Sequence, residues 1–143
     1  MNIRAATLAD VAALHELEKQ CNPAPWSATQ LANTVYAPQP VWIIDLPVHG
    51  IVSMLVWQKL PEEAEIHLLD THPDFRRQGY AQQLLEHLFQ HAKQQHLNRI
   101  LLEVRAGNSG ALQLYTNNGF VSCGIRKNYY QNGDDAVLME KPC

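Results

Sequence analysis

A run of six residues at 76–81, with the sequence RRQGYA, constrains the fold of this chain more than any other feature. It lies between an apolar run typical of a strand (66–71) and an amphipathic pattern typical of a helix (81–96). Gly79 allows the backbone to turn sharply and to approach a ligand closely. Because the first amides of a helix lack internal partners and attract anions, these residues predict a phosphate-binding turn. The alternative is a basic helix start with a turn glycine.

Length and composition limit the class of protein. The 143 residues predict a single domain over 1–143, and 46% hydrophobic residues are ordinary for a soluble globular protein. No run approaches the roughly 20 apolar residues of a membrane span, and the N-terminus lacks the apolar core of a signal peptide. Three distant cysteines without a CxxC pair predict reduced thiols, and the net charge of −3 gives no general reason to bind nucleic acid. We therefore expect a cytoplasmic monomer with no nucleic-acid or membrane partner.

Hydrophobic periodicity and turn signals predict the elements. Two capping-box patterns, Thr7-Leu8-Ala9-Asp10 and Ser27-Ala28-Thr29-Gln30, predict the starts of two helices. The pattern at 81–96 predicts a third helix, and Ser109 is expected to cap a fourth that ends at Asn118-Gly119. The predicted strands are 2–5, 41–46, 51–57, 64–71, 99–104, 121–125 and 136–140. This order predicts an α/β sandwich with a mixed central sheet of about seven strands, about four flanking helices and a parallel central pair near 64–104.

Two motifs share the spacing of one enzyme family. The order Arg-x-x-Gly-x-Ala at 76–81 resembles the pyrophosphate loop of the GCN5-related N-acetyltransferases, the GNAT family. Asn108, Ala111, Tyr115 and Gly119-Phe120 resemble the family segment Asn-x-x-Ala-x-x-x-Tyr-x-x-x-Gly-Phe, which in the family lies beside coenzyme A. The resemblance extends over essentially the whole chain.

A narrower resemblance concerns one branch of that family. Pro25-Trp26-Ser27 and Arg126-Lys127-Asn128-Tyr129-Tyr130 resemble the bacterial ribosomal-protein-alanine N-acetyltransferases of the RimI type. This resemblance implies acetyl-CoA as co-substrate, no metal, and the N-terminal alanine of the small-subunit ribosomal protein number eighteen as substrate. It also implies a set of cofactor-binding residues: Leu69, Asp70, Thr71, Arg76, Arg77, Gln78, Gly79, Tyr80, Ala81, Gln82 and Asn108.

The implied reaction needs a base and an acid. A neutral amine attacks a thioester carbonyl, and a thiolate leaves. An N-terminal α-amine has a pKa of roughly 8, against roughly 10.4 for lysine, so a modest base suffices for the α-amine. We expect Glu103, at the end of a buried strand, to be that base, and Tyr115 to protonate the thiolate. The alternatives are a solvent-facing glutamate paired with Arg99 or Arg105, and a core tyrosine.

Some assignments stay open at this stage. Asp70 stands where the family usually has an apolar or small residue, and it either faces a positive substrate or forms a salt bridge. Trp26, Tyr129 and Tyr130 either wall a peptide channel or belong to the core. Glu62, Glu63 and Glu65 form either an acidic rim or a solvated face, and His87 and His91, four apart on a helix, are interpreted as surface residues and not as metal ligands.

Two other functions remain possible for this chain. Within the same family, it could acetylate lysine or a small-molecule amine. From a different class, it could be a non-catalytic acyl-CoA-binding module, although the presence of both Glu103 and Tyr115 disfavours that interpretation.

Overall fold

The computed structural model describes residues 3–38 and 40–143, which form two compact units. The first unit runs to Gln58 and resumes at Leu68–Phe89, and the second contains Lys59–His67 and continues from Gln90 to the end. The predicted single domain over 1–143 stays a prediction.

Seven strands and four α-helices are found among the described residues. They are β1 (Ile3–Ala5), α1 (Val11–Cys21), α2 (Ala28–Tyr36), β2 (Trp42–Leu46), β3 (Gly50–Lys59), β4 (Glu63–Thr71), α3 (Tyr80–Gln94), β5 (Arg99–Arg105), α4 (Ser109–Asn117), β6 (Val121–Arg126) and β7 (Ala136–Pro142). Short 3₁₀ turns precede α1 and α3, at Leu8–Asp10 and Pro73–Phe75. The predicted order and number of elements are confirmed, apart from Asn2, which lies outside the described residues. No described helix has the length and apolar character that a membrane crossing requires.

The first unit is organised by capped helices on an antiparallel ladder. β2 pairs with both β1 and β3 in antiparallel register, as the predicted hairpin requires. Both capping boxes form: the Thr7 amide donates to Asp10 at 2.8 Å, and the Ser27 amide donates to the Gln30 side chain at 2.8 Å. The helices pack on a buried cluster that contains Leu14, Leu17, Leu31, Val41, Ile43, Met54, Val56 and Leu68.

The second unit has its strands in the order β4-β5-β7-β6. β4 and β5 are parallel, with Glu63 opposite Arg99, and this confirms the predicted parallel pair. β7 runs antiparallel to both β5 and β6. Arg99 at the start of β5 forms ion pairs with Glu63 on β4 and Glu140 on β7, so one guanidinium connects three neighbouring strands.

Two helix ends of the second unit differ from the sequence expectation. The third helix was expected to reach residue 96 but ends at Gln94, because His96 adopts a positive φ of 56°. The His96 and Leu97 amides then donate to the carbonyls of Lys93 (3.1 Å) and Ala92 (3.0 Å), which is a Schellman ending. Ser109 was wrongly expected to cap α4. Asn108 is the cap, and its Oδ1 accepts from the Ala111 amide at 3.1 Å.

Candidate active site

The turn between β4 and α3 lies in the first unit and has the predicted strand-turn-helix form. Arg77 and Gly79 both have positive φ, 63° and 85°. No atom lies within 4 Å of a Cβ added to Gly79, so backbone conformation and not space favours glycine here. The first helical bond joins the Gln83 amide to the Gly79 carbonyl at 3.0 Å. The amides of Tyr80, Ala81 and Gln82 therefore precede the helical ladder, where an anion can accept from them.

Arg76 holds this turn against the end of β4. Its Nε donates to the Thr71 carbonyl at 3.2 Å, and its Nη2 lies 3.8 Å from Sγ of Cys21. Cys21 Sγ donates to the same carbonyl at 3.3 Å. Arg76 and Arg77 are both exposed, so the turn presents two cations to solvent next to the first amides of α3.

At the end of β4, the backbone groups along one edge already form hydrogen bonds with β3. The Asp70 carbonyl accepts from Ser53 Oγ at 2.8 Å, and the His72 amide donates to Val52 at 2.8 Å. Because alternate residues of a strand direct their backbone groups to opposite edges, the amides of Leu69 and Thr71 point to the other edge of β4. Leu69 and Thr71 are two of the cofactor-binding residues that the family resemblance implied, whereas the carbonyl of the third, Asp70, is directed to β3.

Of the two roles considered for Asp70, the salt bridge is not found among the described residues. Its carboxyl group is 7% exposed. Its electrostatic neighbour is the carboxyl group of Glu18 on α1, which is fully buried. Burial, followed by the hydrogen bond and negative charge of Glu18, raises the pKa of Asp70 to about 9.

Glu18 was not singled out from the sequence, although a signal was present. It lies four residues after Leu14 and three before Cys21, so helical spacing puts it on the apolar face of α1. A carboxylate on such a face is the unusual feature. Its Oε2 accepts from the Trp26 amide at 2.9 Å and from Asn22 Nδ2 at 3.3 Å. The Trp26 side chain packs, partly buried, against the core of the first unit.

Glu103 lies on the open face of β5 in the second unit. Ile100, Leu102 and Val104 are buried, so alternation along the strand turns Glu103 to the opposite side. Its Oε1 is 3.3 Å from Nε of Arg126, and 32% of its side chain is exposed. Arg105 and Arg99, the partners considered in the sequence alternative, pair with other carboxylates: Arg105 with Asp134 at 3.8 Å, and Arg99 as described above.

Glu103 lines an open groove of about 260 Å³. Its walls include Glu65, Arg99, Glu103, Arg126, Leu138 and Glu140. Leu138 is directly opposite Glu103 on β7, and on its other side it faces Gly124 of β6. A Cβ at Gly124 would meet Cδ1 of Leu138 at 3.0 Å, so the missing side chain gives Leu138 its room.

The groove contains paired charges and not a bare acidic rim. Glu65 is 3.2 Å from His67, and Glu63 is held by Arg99. Glu62 and Glu63 both lie outside the groove lining, and Glu62 accepts from Asn98 Nδ2 at 3.4 Å. The sequence interpretation of 62–65 as an acidic rim therefore applies most directly to Glu65.

The segment after β6 folds back with its aromatic rings on two arginines. The Arg126 guanidinium lies 5.4 Å from the Tyr129 ring centroid, and that of Arg105 lies 4.7 Å from the Tyr130 ring centroid. Burial, followed by the negative charge of Glu103, raises the pKa of Tyr130. The charge of Glu103 therefore acts on the Tyr130 hydroxyl. Tyr129, in contrast, is 51% exposed.

Tyr115 belongs to the second unit but not to the lining of this groove. It is 6% exposed, and its ring packs edge-on against Phe120 with centroids 5.5 Å apart. Asn108, at the start of the same helix, uses its Oδ1 as the cap and is exposed. His87 of the first unit packs against Trp42 at 4.4 Å, and the part of the chain that the structure describes holds no group of three or more potential metal ligands.

Comparisons with known proteins agree with this architecture. The model of the Acetyltransferase (GNAT) family matches residues 11–120. The ribosomal protein bS18-alanine N-acetyltransferase of Escherichia coli strain K12 is 31% identical over 137 residues, covering 93% of this chain and 91% of that protein. The crystal structure of the ribosomal-protein-S18-alanine N-acetyltransferase from Escherichia coli has a TM-score of 0.87 and 29% identity over 98% of this chain and 92% of that chain. The PaiA N-acetyltransferase from Thermoplasma acidophilum in complex with coenzyme A shares the fold, with a TM-score of 0.82 and 17% identity over 99% of this chain and 98% of that chain.

Proposed function

The chain belongs to the GNAT family of acetyltransferases, and from this premise we propose that it transfers an acetyl group from acetyl-CoA to the N-terminal α-amine of a protein. The proposed substrate is the N-terminal alanine of ribosomal protein bS18. The carrying observation is the near-complete match to a bS18-alanine N-acetyltransferase. The open groove beside Glu103 supports the proposal, because a chain end can enter a groove that is not enclosed.

Acetyl-CoA is the proposed co-substrate, and it supplies the activated acetyl group. The turn at 76–79 and the first amides of α3 suit its phosphates, since they combine two exposed arginines with the N-terminal end of a helix, which attracts anions. The amides of Leu69 and Thr71 suit the acetyl carbonyl, where a fixed donor stabilises developing negative charge. Asn108 can donate through its Nδ2 group while its Oδ1 caps α4.

In the proposed chemistry, Glu103 accepts a proton and Tyr115 donates one. As the amine nitrogen bonds to the thioester carbonyl carbon, Glu103 accepts the amine proton. As the carbon–sulfur bond breaks, Tyr115 donates its phenolic proton to the sulfur. Arg126, 3.3 Å from Glu103, holds the carboxylate in the groove before the substrate amine arrives.

A single variant tests the role of the base. Glu103→Gln keeps the shape of the side chain but cannot accept the amine proton, so we expect kcat/KM to fall roughly a hundredfold while acetyl-CoA still binds. The loss should be greatest at low pH, where more of the amine is charged. Glu62→Gln is the matched control, because Glu62 belongs to the same unit and lies outside the groove. Equal turnover in Glu103→Gln and the wild type at every pH would remove Glu103 from this role.

Mass spectrometry tests the substrate class. The enzyme is incubated with acetyl-CoA and a basic peptide that begins with alanine, and separately with a peptide whose N-terminus is blocked and whose lysine is free. We expect one acetyl group on the alanine amine and none on the blocked peptide. Label on lysine alone would establish a lysine acetyltransferase. No label, with tight acetyl-CoA binding in calorimetry, would leave a small-amine acetyltransferase or an acyl-CoA-binding module.

A further inference from the structure

We propose that Glu18 and Asp70 share one proton and that this shared proton positions the loop between α1 and α2 (22–27) for the incoming protein substrate. The use of the loop by the substrate rests on the proposed function. The proton-sharing pair itself does not, because it follows from contacts within the first unit.

The two carboxyl groups are buried together. Glu18 is fully buried and Asp70 is 7% exposed. Cys21, one turn after Glu18 on α1, donates through Sγ to the carbonyl of Thr71, the neighbour of Asp70, at 3.3 Å, so the two carboxyl groups come from adjoining points of α1 and β4. Among the described residues, Oε1 of Glu18 and Oδ2 of Asp70 are buried oxygens with no hydrogen-bond partner. A proton shared between these two atoms would satisfy both.

A hydrogen bond between two carboxyl groups requires a proton. An ionised carboxylate only accepts, so two ionised groups would have no donor between them and would repel each other in a medium of low dielectric. Burial followed by Glu18 raises the pKa of Asp70 to about 9, so Asp70 carries the proton at neutral pH. The other groups that act on the pair are the Arg76 guanidinium, which lowers that pKa, and the Cys21 thiol, whose own pKa rises through burial and the Asp70 charge.

The other oxygen of Glu18 connects the pair to the loop. Oε2 accepts from the Trp26 amide at 2.9 Å and from Asn22 Nδ2 at 3.3 Å, so one carboxylate holds both ends of the segment 22–26. The backbone of Asp70 is fixed as well, because its carbonyl accepts a hydrogen bond from Ser53 Oγ at 2.8 Å. The pair thus fixes the loop to the end of β4, whose amides are proposed to contact the acetyl group. Loss of the Asp70 proton to water leaves two adjacent carboxylates, breaks their hydrogen bond and frees Glu18 to move with the loop.

The direct test follows the loop and needs no turnover. In protein labelled with ¹³C and ¹⁵N, a carbon-detected correlation between the Pro25 carbonyl and the Trp26 nitrogen reports the bond to Glu18 at any pH. We expect the wild-type signal to titrate with an alkaline midpoint near pH 9. Asp70→Asn donates to Glu18 without titrating, so its Trp26 signal should stay constant. Asp74→Asn, an exposed change of the same kind (84% of the Asp74 side chain is exposed), should keep the wild-type titration.

A second variant covers the case in which Asp70→Asn does not fold. Glu18→Gln supplies an amide donor to Asp70, which no longer needs a proton, so the alkaline midpoint at Trp26 should disappear. A wild-type Trp26 signal without an alkaline midpoint would overturn the proposal. So would an unchanged midpoint in either variant.

Kinetics test the consequence for the substrate. For the alanine peptide, wild-type KM should rise about tenfold from neutral pH to pH 10, with a smaller change in kcat, and the rise should be absent in Asp70→Asn. A merely structural role would lower kcat and stability without removing the alkaline limb of KM. If the peptide is not acetylated at all, the proposed function fails, whereas the Trp26 titration still decides on the proton-sharing pair.

Discussion

The buried acid pair makes a quantitative prediction about stability against pH. The pKa of Asp70 is about 9 in the folded protein and near 3.8 in the unfolded chain. Because the folded state binds this proton more tightly, the stabilisation is complete below the unfolded value and is lost as pH rises through the folded value. Wild-type protein should therefore lose up to about 1.4 kcal/mol of unfolding free energy per pH unit across this window, relative to a variant without the titration.

Asp70→Asn is that variant, because asparagine donates to Glu18 and does not ionise. From about pH 6 to about pH 8, its stability relative to wild type should rise by about 3 kcal/mol. For a chain of 143 residues this corresponds to about 9 °C in Tm. Urea unfolding at a series of pH values measures the difference. The unfolding free energy of Asp74→Asn should depend on pH in the same way as that of the wild type. Parallel curves for Asp70→Asn and wild type would refute the shared proton, since the carboxyl groups outside the Glu18–Asp70 pair contribute equally to both.

Further substitutions test other parts of the structure. Gly79→Ala places a side chain at φ 85°, which costs about 1 kcal/mol and should weaken acetyl-CoA binding about fivefold in calorimetry; Gly133→Ala, at φ 88°, should cost similar stability and leave binding unchanged. His96→Gly removes a positive-φ penalty at the end of α3 and should stabilise the protein by up to about 1 kcal/mol in urea unfolding, whereas an unchanged midpoint would contradict the Schellman assignment. Asn108→Ala should lose about 1 kcal/mol with the cap, and Asn108→Asp should retain it, so equal stability of these two variants would show that the cap contributes little.

Local patterns were sufficient to predict the elements. Both capping boxes formed, and α4 ended at Asn118-Gly119, as expected. Each of these features depends on residues only a few positions apart. The cap at Asn108 was misassigned because Asn108 and Ser109 are both good caps, and sequence alone does not decide between adjacent positions. The early end of α3 had no glycine signal, since His96 occupies the position that glycine usually takes.

The candidate site was predictable in part. The direction of Glu103 was left open by the sequence, and the buried neighbours on β5 show that it lies on the open face. Its partner Arg126 is 23 positions away in sequence, and no local pattern indicated that contact. Asp70 follows the same alternation as Ala64, Ile66 and Leu68, which predicts burial. Its partner Glu18 lies on a distant helix, so the acid pair becomes visible only through tertiary packing.

Gly124 determines how much space is available to Leu138, a side chain that lines the groove. The Leu138 side chain stands between Gly124 and Glu103, and the 3.0 Å limit at Gly124 means that a single methyl group there would press Leu138 by a few tenths of an ångström. Under the proposed function, the room available beside the reacting amine is set by an absent side chain two strands away from the base. Evolution or design can therefore change which first residues fit while leaving the chemical groups untouched. The tolerance of this enzyme for substrates is in that sense separable from its catalytic power.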